Sequence, residues 1–398
     1  MNKSTIKISI ISILLTFPQL LSSCWIDEHA DGTPVQAYRT VLFYLAGDGD
    51  ASGEVQSRLD ALQEIWNNDI ALGGRLLVYI GASTDTPARL MEMVADDLDG
   101  GKVTLHELRT YEDANSASSE GLSRVINDMY TLYPSQDYGM VLFSQGSGWL
   151  PAEHLEVPRR RSAGADSRSN PQANTRSVIG EESNFLELRD FALAIPNGQF
   201  SFIVLESGYM AGIEVAYELK EKTDYLIATS TEIPSPGFLP VYEAMLPELF
   251  KAYPFYRKAA QAYFDFYNRS SGDFRSATIS VIRTSKLEPL KRMLNAAESR
   301  VGDWEELNRG SLQAFDRRED NHLFYDLGDY FRLIGNDEER AAFADSLSLA
   351  VVYEAATEAF LPQSGGFDIT SHSGLTIYIP DVHYPILNGQ RRSLRLFQ

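Results

Sequence analysis

At 398 residues the chain can bury a large core, as one big domain or two. Its 44% hydrophobic and 23% charged content excludes disorder over the whole length. A formal charge of −20 and a pI near 4.7 exclude a nucleic-acid partner, which needs a basic face, and favour cationic ligands.

The N-terminus carries a targeting pattern. Lys3 and Lys7 precede the apolar run Ile8 to Leu15, and Pro18 breaks it before Leu21-Ser22-Ser23-Cys24. The run is too short to span a bilayer, so residues 1–23 read as a cleaved signal. Leu-Ser-Ser-Cys resembles a bacterial lipobox. Cys24 is the single cysteine, so a disulfide within the chain is impossible and acylation gives the thiol a use. Residues 24–37 then read as a tether. The alternative is a soluble secreted protein with an unrelated Cys.

Short apolar runs alternate with helical patterns after the tether. Strands are predicted at Thr40–Ala46, Arg75–Ile80, Tyr138–Phe143, Phe202–Leu205 and Tyr225–Ala228, with an edge hairpin strand at Lys102–Leu108. Helices are predicted from Ser52 to about Asn67, with Val55, Leu59, Leu62 and Trp66 inward, and over Ser118–Tyr133, with Leu122, Val125, Ile126 and Met129 inward. Runs apolar on both faces and separated by helices indicate a mainly parallel sheet covered on both sides. From Pro151 to Glu182 the pattern stops in a long polar loop containing Arg159, Arg160 and Arg161. Beyond Pro236 the chain reads as mostly helical, over about Val241–Asn268, Leu287–Phe315 and Glu338–Phe360, with strands at Thr278–Arg283 and Leu375–Ile379.

Ligands of open α/β sheets lie at the carboxyl ends of strands. Two such ends stand out: Phe143 running into Ser144-Gln145-Gly146-Ser147-Gly148-Trp149, and Leu205 running into Glu206-Ser207-Gly208-Tyr209-Met210. Their glycines let backbone approach a ligand. Neither His pairs at metal-ligand spacing nor a thiolate set is present, so no metal and no cofactor is expected. His106, His154, His322, His372 and His383 show no supporting pattern for a base. The pair Asp48 and Asp50 reads as a solvated turn.

These motifs, with Tyr44-Leu45-Ala46-Gly47-Asp48, Asp224-Tyr225-Leu226-Ile227-Ala228, Glu232-Ile233-Pro234, Tyr325-Asp326-Leu327-Gly328-Asp329 and Gly374 through Pro380, resemble in order and spacing the clostripain family of cysteine peptidases. The resemblance covers the chain from about residue 38. It implies a caspase-like α/β sandwich, with an α/β core over 38–235 and a mostly helical part over 236–398. It also implies a catalytic His at position 145 and a nucleophilic Cys at 208, where this chain has Gln145 and Gly208. A Gln amide cannot take a thiol proton, and Gly has nothing to attack with. Glu206 matches the family's acidic residue for Arg or Lys side chains, and Arg159, Arg160 and Arg161 match its maturation loop.

The expectation is therefore a lipid-anchored envelope protein of clostripain type that no longer cleaves peptides. It would bind a basic peptide or a surface protein through Glu206, Ser207 and Gly146. For Glu206 a structural role, bonding backbone N–H groups at the strand end, stands beside the pocket role. Two alternatives remain open at this level: an active peptidase with replacement residues, and a purely structural surface lipoprotein.

Overall fold

A computed structural model describes residues 37–46, 52–71, 73–82, 86–96, 102–112, 115–144, 146–151, 179–181, 184–251 and 256–398. Cys24, Gln145, His154 and the Arg159–Arg161 run lie outside them.

The apolar runs become the interior of one nine-stranded sheet. Its strands are β1 Ala37–Leu45, β2 Arg75–Ile80, β3 Ala88–Asp96, β4 Lys102–Tyr111, β5 Ser135–Phe143, β8 Phe200–Glu206, β9 Thr223–Ala228, β10 Thr278–Arg283 and β12 Val351–Ala356. The order across it is β12-β10-β9-β8-β5-β1-β2-β3-β4. The five strands from β9 to β2 are mutually parallel, and both flanks are antiparallel. Three small antiparallel pairs complete the strands: β6 Ile179–Glu181 with β7 Asn184–Leu186, β11 Tyr325–Asp326 with β15 Thr376–Ile377, and β13 Ala359–Phe360 with β14 Phe367–Asp368.

Helices cover both faces because the central strands are apolar on both. Along β1, Val41, Phe43 and Leu45 face one core, and Leu42 and Tyr44 the other. The first core is closed by α1 Ser52–Ile65, α2 Asn68–Ala71, α6 Tyr242–Phe250 and α7 Tyr256–Asn268. The second is closed by α3 Ser119–Leu132, α4 Leu188–Ala194, α5 Ile213–Glu218, α8 Leu287–Glu298, α9 Leu327–Ile334 and α10 Asp337–Ala350, with α11 Pro385–Arg391 beside them. The inward residues expected on α1 and α3 are all buried, and Ser118 caps α3 by accepting from the Gly121 N–H.

The C-terminal part departs from its helical expectation. The predicted helix through Phe360 stops at Ala350, and Val351–Ala356 is a strand. Pairing with β10 supplies hydrogen bonds that local helical periodicity cannot anticipate, and Val351 and Val352 suit a strand. The predicted helix over Leu287–Phe315 ends at Glu298, followed by two 3₁₀ turns, Trp304–Glu306 and Arg309–Ser311. β10 and β12 are thus the last two strands of the main sheet, which runs through both parts of the chain.

Candidate functional site

β5 and β8 are parallel neighbours with Phe143 opposite Glu206, so the loops leaving their carboxyl ends start side by side. The Ser144 N–H donates to the Glu206 carbonyl at 3.3 Å, and the Ser144 and Ser207 hydroxyls stand 3.5 Å apart. A side chain at position 208 would project between two neighbouring loops. Its Cβ would lie 3.3 Å from Glu232 Cα, 3.5 Å from the Gly146 carbonyl oxygen and 3.7 Å from the Ile233 amide nitrogen. Position 208 therefore adjoins Gly146, the neighbour of Gln145. The tertiary structure brings the loops of the two motifs side by side.

The loops are locked onto each other. Gly148 has φ 69°, and a Cβ there would meet the Tyr209 carbonyl oxygen at 2.7 Å, so only glycine fits. Tyr209 itself has φ 62°, an uncommon conformation for an aromatic residue. Three contacts hold it: a stack on Phe324 at 4.4 Å, an N–H bond to the Thr231 carbonyl at 3.0 Å, and a hydroxyl bond to Glu232 at 2.9 Å. Burial, reinforced by the Glu232 charge, pushes the Tyr209 hydroxyl well above its ordinary pKa, so it stays a donor. Arg317 grips Glu232 through two bonds of 2.9 Å. The C-terminal motifs close the same turn, because the Thr376 N–H donates to the Ala211 carbonyl at 2.8 Å.

Glu206 is the clearest departure from expectation. It is 2% exposed, and its carboxylate accepts bonds only from inside the protein. Arg58 Nε donates to Oε1 at 3.1 Å and Arg58 Nη2 donates to the same oxygen. The Phe238 N–H reaches Oε1 at 2.9 Å, and the Tyr242 hydroxyl reaches Oε2 at 2.6 Å. Burial alone would lower the Arg58 pKa, but the Glu206 charge overcomes this and holds it above its usual range. The guanidinium also lies over the Phe143 ring at 3.5 Å. The expected carboxylate open to a foreign Arg or Lys is thus corrected: this chain's own Arg58 supplies the cation. Ser207, 1% exposed, and Gly146 are buried with it.

Sequence reasoning missed Arg58, although a signal existed. It lies three residues after Val55 and four before Leu62, on the stripe of α1 that turns inward. A charged residue on a buried stripe needs a buried partner.

The described histidines are each engaged elsewhere. His322 Nδ1 meets Asp316 at 2.9 Å, His383 Nδ1 meets Asp381 at 2.7 Å, and His106 Nε2 meets the Thr104 hydroxyl at 3.2 Å. His372 Nε2 contacts the Ser230 hydroxyl at 3.0 Å, and burial lowers its pKa to about 4. This Ser–His contact is no reaction centre: Ser230 is wholly buried, and His372 Nδ1 meets no orienting acid. Among the described residues no group of three His, Cys, Asp or Glu could hold a metal ion.

The sequence profile of the clostripain family, Peptidase_C11, matches residues 44–382. The chain belongs to the clostripain family. Among solved structures, an inactive zymogen C11 protease from Parabacteroides distasonis is similar at 28% identity and TM-score 0.77. The match covers 92% of this chain and 98% of that one. A secreted C11 cysteine protease from Bacteroides thetaiotaomicron, iotapain, matches at 25% identity and TM-score 0.77, covering 91% and 99%. The C11 protease of the same organism in complex with an irreversible peptide inhibitor matches at 24% identity and TM-score 0.72, covering 91% and 98%, and shows the shared fold. No curated protein matches the chain. The α/β sandwich with its mainly parallel centre is thus the fold of C11 proteases.

Proposed function

We infer that this clostripain-family protein binds rather than cleaves, and that a lipid on Cys24 holds it at a membrane of the cell envelope. One observation carries the first part: the turn at the carboxyl end of β8, where a nucleophile would project toward the β5 loop, holds Gly208. Gln145 on the neighbouring motif cannot act as a base. The similarity to an inactive zymogen does not supply a second reading, because maturation unmasks a nucleophile and cannot create one. The role left to the domain is recognition of another protein at the same surface.

Purified wild-type protein should give no turnover of fluorogenic Arg or Lys amides and no labelling by a thiol-reactive peptide probe. The pair acts as a unit, so Gly208→Cys alone should do little. Gln145→His with Gly208→Cys should become labelled, after a shift of a few tenths of an ångström to relieve the 3.3 Å approach to Glu232. Wild-type turnover abolished by Ser207→Ala would overturn the reading. For the anchor, a fatty-acid tracer in a bacterial host should label wild type and not Cys24→Ala; equal labelling would remove the lipid.

A further inference from the structure

The two edges of the sheet are built differently. β4 at one edge exposes Lys102, His106, Glu107 and Arg109, the charged dressing that keeps an edge strand from pairing. β12 at the other edge reads Val-Val-Tyr-Glu-Ala-Ala, with one charge. Among the described residues it is hydrogen-bonded on one side only, to β10. Five of its six residues are half-buried and Glu354 is exposed, while the β10 positions beside it are buried. At about 3.3 Å per residue it presents roughly 20 Å of unpaired backbone.

A cavity of about 540 Å³ lies against this edge. A bulge in the pairing, between Val281 and Ile282, turns both Val352 and Tyr353 toward α7, while Val351 packs on the opposite core. The cavity lining includes Arg257 and Tyr353 from one face of the sheet and Phe343 and Leu347 of α10 from the other. A groove with walls from both faces has the strand edge as its floor. Leu349, 57% exposed, adds an apolar side chain next to the strand.

The charges at this groove decide what fits. Asp326 and Asp329 also line it, but both are engaged: Asp326 accepts from the Asp329 and Ser373 N–H groups, and Asp329 pairs with Arg332 and accepts from Ser371. Asp265 on α7 pairs with Arg269 at 3.6 Å. Arg340 pairs with Asp337, a carboxylate 99% exposed, which contributes little. Arg257 is exposed, stands 5.5 Å over the Tyr353 ring, and has no carboxylate partner among the described residues. Glu354, the strand's own carboxylate, turns to the opposite face, where its Cβ lies with Val351 against Gly374, so on the Tyr353 face the charge free to meet a ligand is that of Arg257. Salt screens charges beyond about 10 Å, so on that face Arg257 outweighs the distant carboxylates of a chain whose total is −20. A second copy is the wrong occupant: a two-fold antiparallel pairing keeps each sheet face on its own side, so it would bring a second Arg257 to the side of the first.

We propose that the free edge of β12 takes an extended, acidic segment of a partner protein as a tenth strand, with a partner carboxylate on Arg257. Main-chain bonds to the edge supply affinity, and alternate side chains enter the groove. The probe is a short capped peptide of alternating valine and glutamate. Hydrogen exchange of wild-type protein should slow by about tenfold or more at the outward amides of β12 when it is added, with β4 unchanged. The valine–lysine counterpart should give no slowing. Arg257→Glu should weaken binding of the acidic peptide by about tenfold, read by fluorescence anisotropy. Absence of slowing at β12, equal slowing by the lysine peptide, or unchanged affinity in Arg257→Glu overturns the proposal. So does slowing that grows with protein concentration without peptide, which would make a second copy the occupant. The exchange result on wild type stands whether or not the variant folds.

Discussion

The turn after β8 and the edge of β12 are opposites within one sheet. At the turn both carboxylates are answered from inside: Arg58, Tyr242 and the Phe238 N–H on Glu206, and Tyr209 and Arg317 on Glu232. At the edge the backbone has one neighbour and Arg257 has no acid. The turn carries the family motif and its acids are taken up; the edge carries no motif, and among the described residues it has one strand neighbour. Residue types that match an active site do not make one, because a carboxylate with four internal bonds has nothing left to offer a substrate.

The sharpest way to break this contrast is at Glu206. Glu206→Gln leaves buried Arg58 with only Glu54, a half-exposed carboxylate at 4.0 Å, as its ion partner, which should cost about 3 kcal/mol in chemical denaturation. Replacing both residues, as Arg58→Met with Glu206→Met, should recover most of that loss, because the desolvation of two charges disappears together with their attraction. A Glu206→Gln protein of wild-type stability that had lost affinity for an Arg peptide would show that the turn is open after all.

A smaller effect comes from Glu214, two residues into α5 on the same closed side. It is 1% exposed and accepts from the Tyr378 N–H at 2.8 Å, and burial raises its pKa to about 7 from an ordinary 4.5. The native state then holds a proton that the unfolded chain releases, so stability falls as pH rises from about 4.5 to 7. The loss should be about 3 kcal/mol. Glu214→Gln should flatten that part of the profile in denaturation followed at several pH values. A profile unchanged by the substitution would assign the slope to another group, with Asp326, raised to about 6 by burial, next in line. His372, lowered to about 4, acts in the opposite sense and weakens the fold as pH falls from 6.5 toward 4.

Much of the fold was legible because local periodicity encodes it. The central strands are apolar on both faces, and α1 and α3 show their buried stripes in sequence. The two glycine-bearing motifs were legible as strand ends, and the parallel pairing of β5 with β8 then brings the loops that follow together. The miss at 351–356 has the reverse cause. Val351–Ala356 continues the helical reading of α10, and only the pairing with β10, some 70 residues earlier, makes it a strand. β3 escaped notice for a related reason: Ala88–Asp96 gains its strand character from two antiparallel neighbours, β2 and β4.

The sequence by itself determined which groups stand at the positions matching the family's base and nucleophile. A residue's functional groups are fixed by its identity, so Gln145 and Gly208 offer neither an imidazole nor a thiol there. Only the tertiary structure decided what the remaining charges do. Glu206 and Arg58 are separated by 148 positions, and neither side chain's availability is written in its own neighbourhood. Burial and partners are set by packing between distant segments, and they turn one carboxylate into a strut while leaving Arg257 of α7, over the Tyr353 ring, without a carboxylate partner among the described residues.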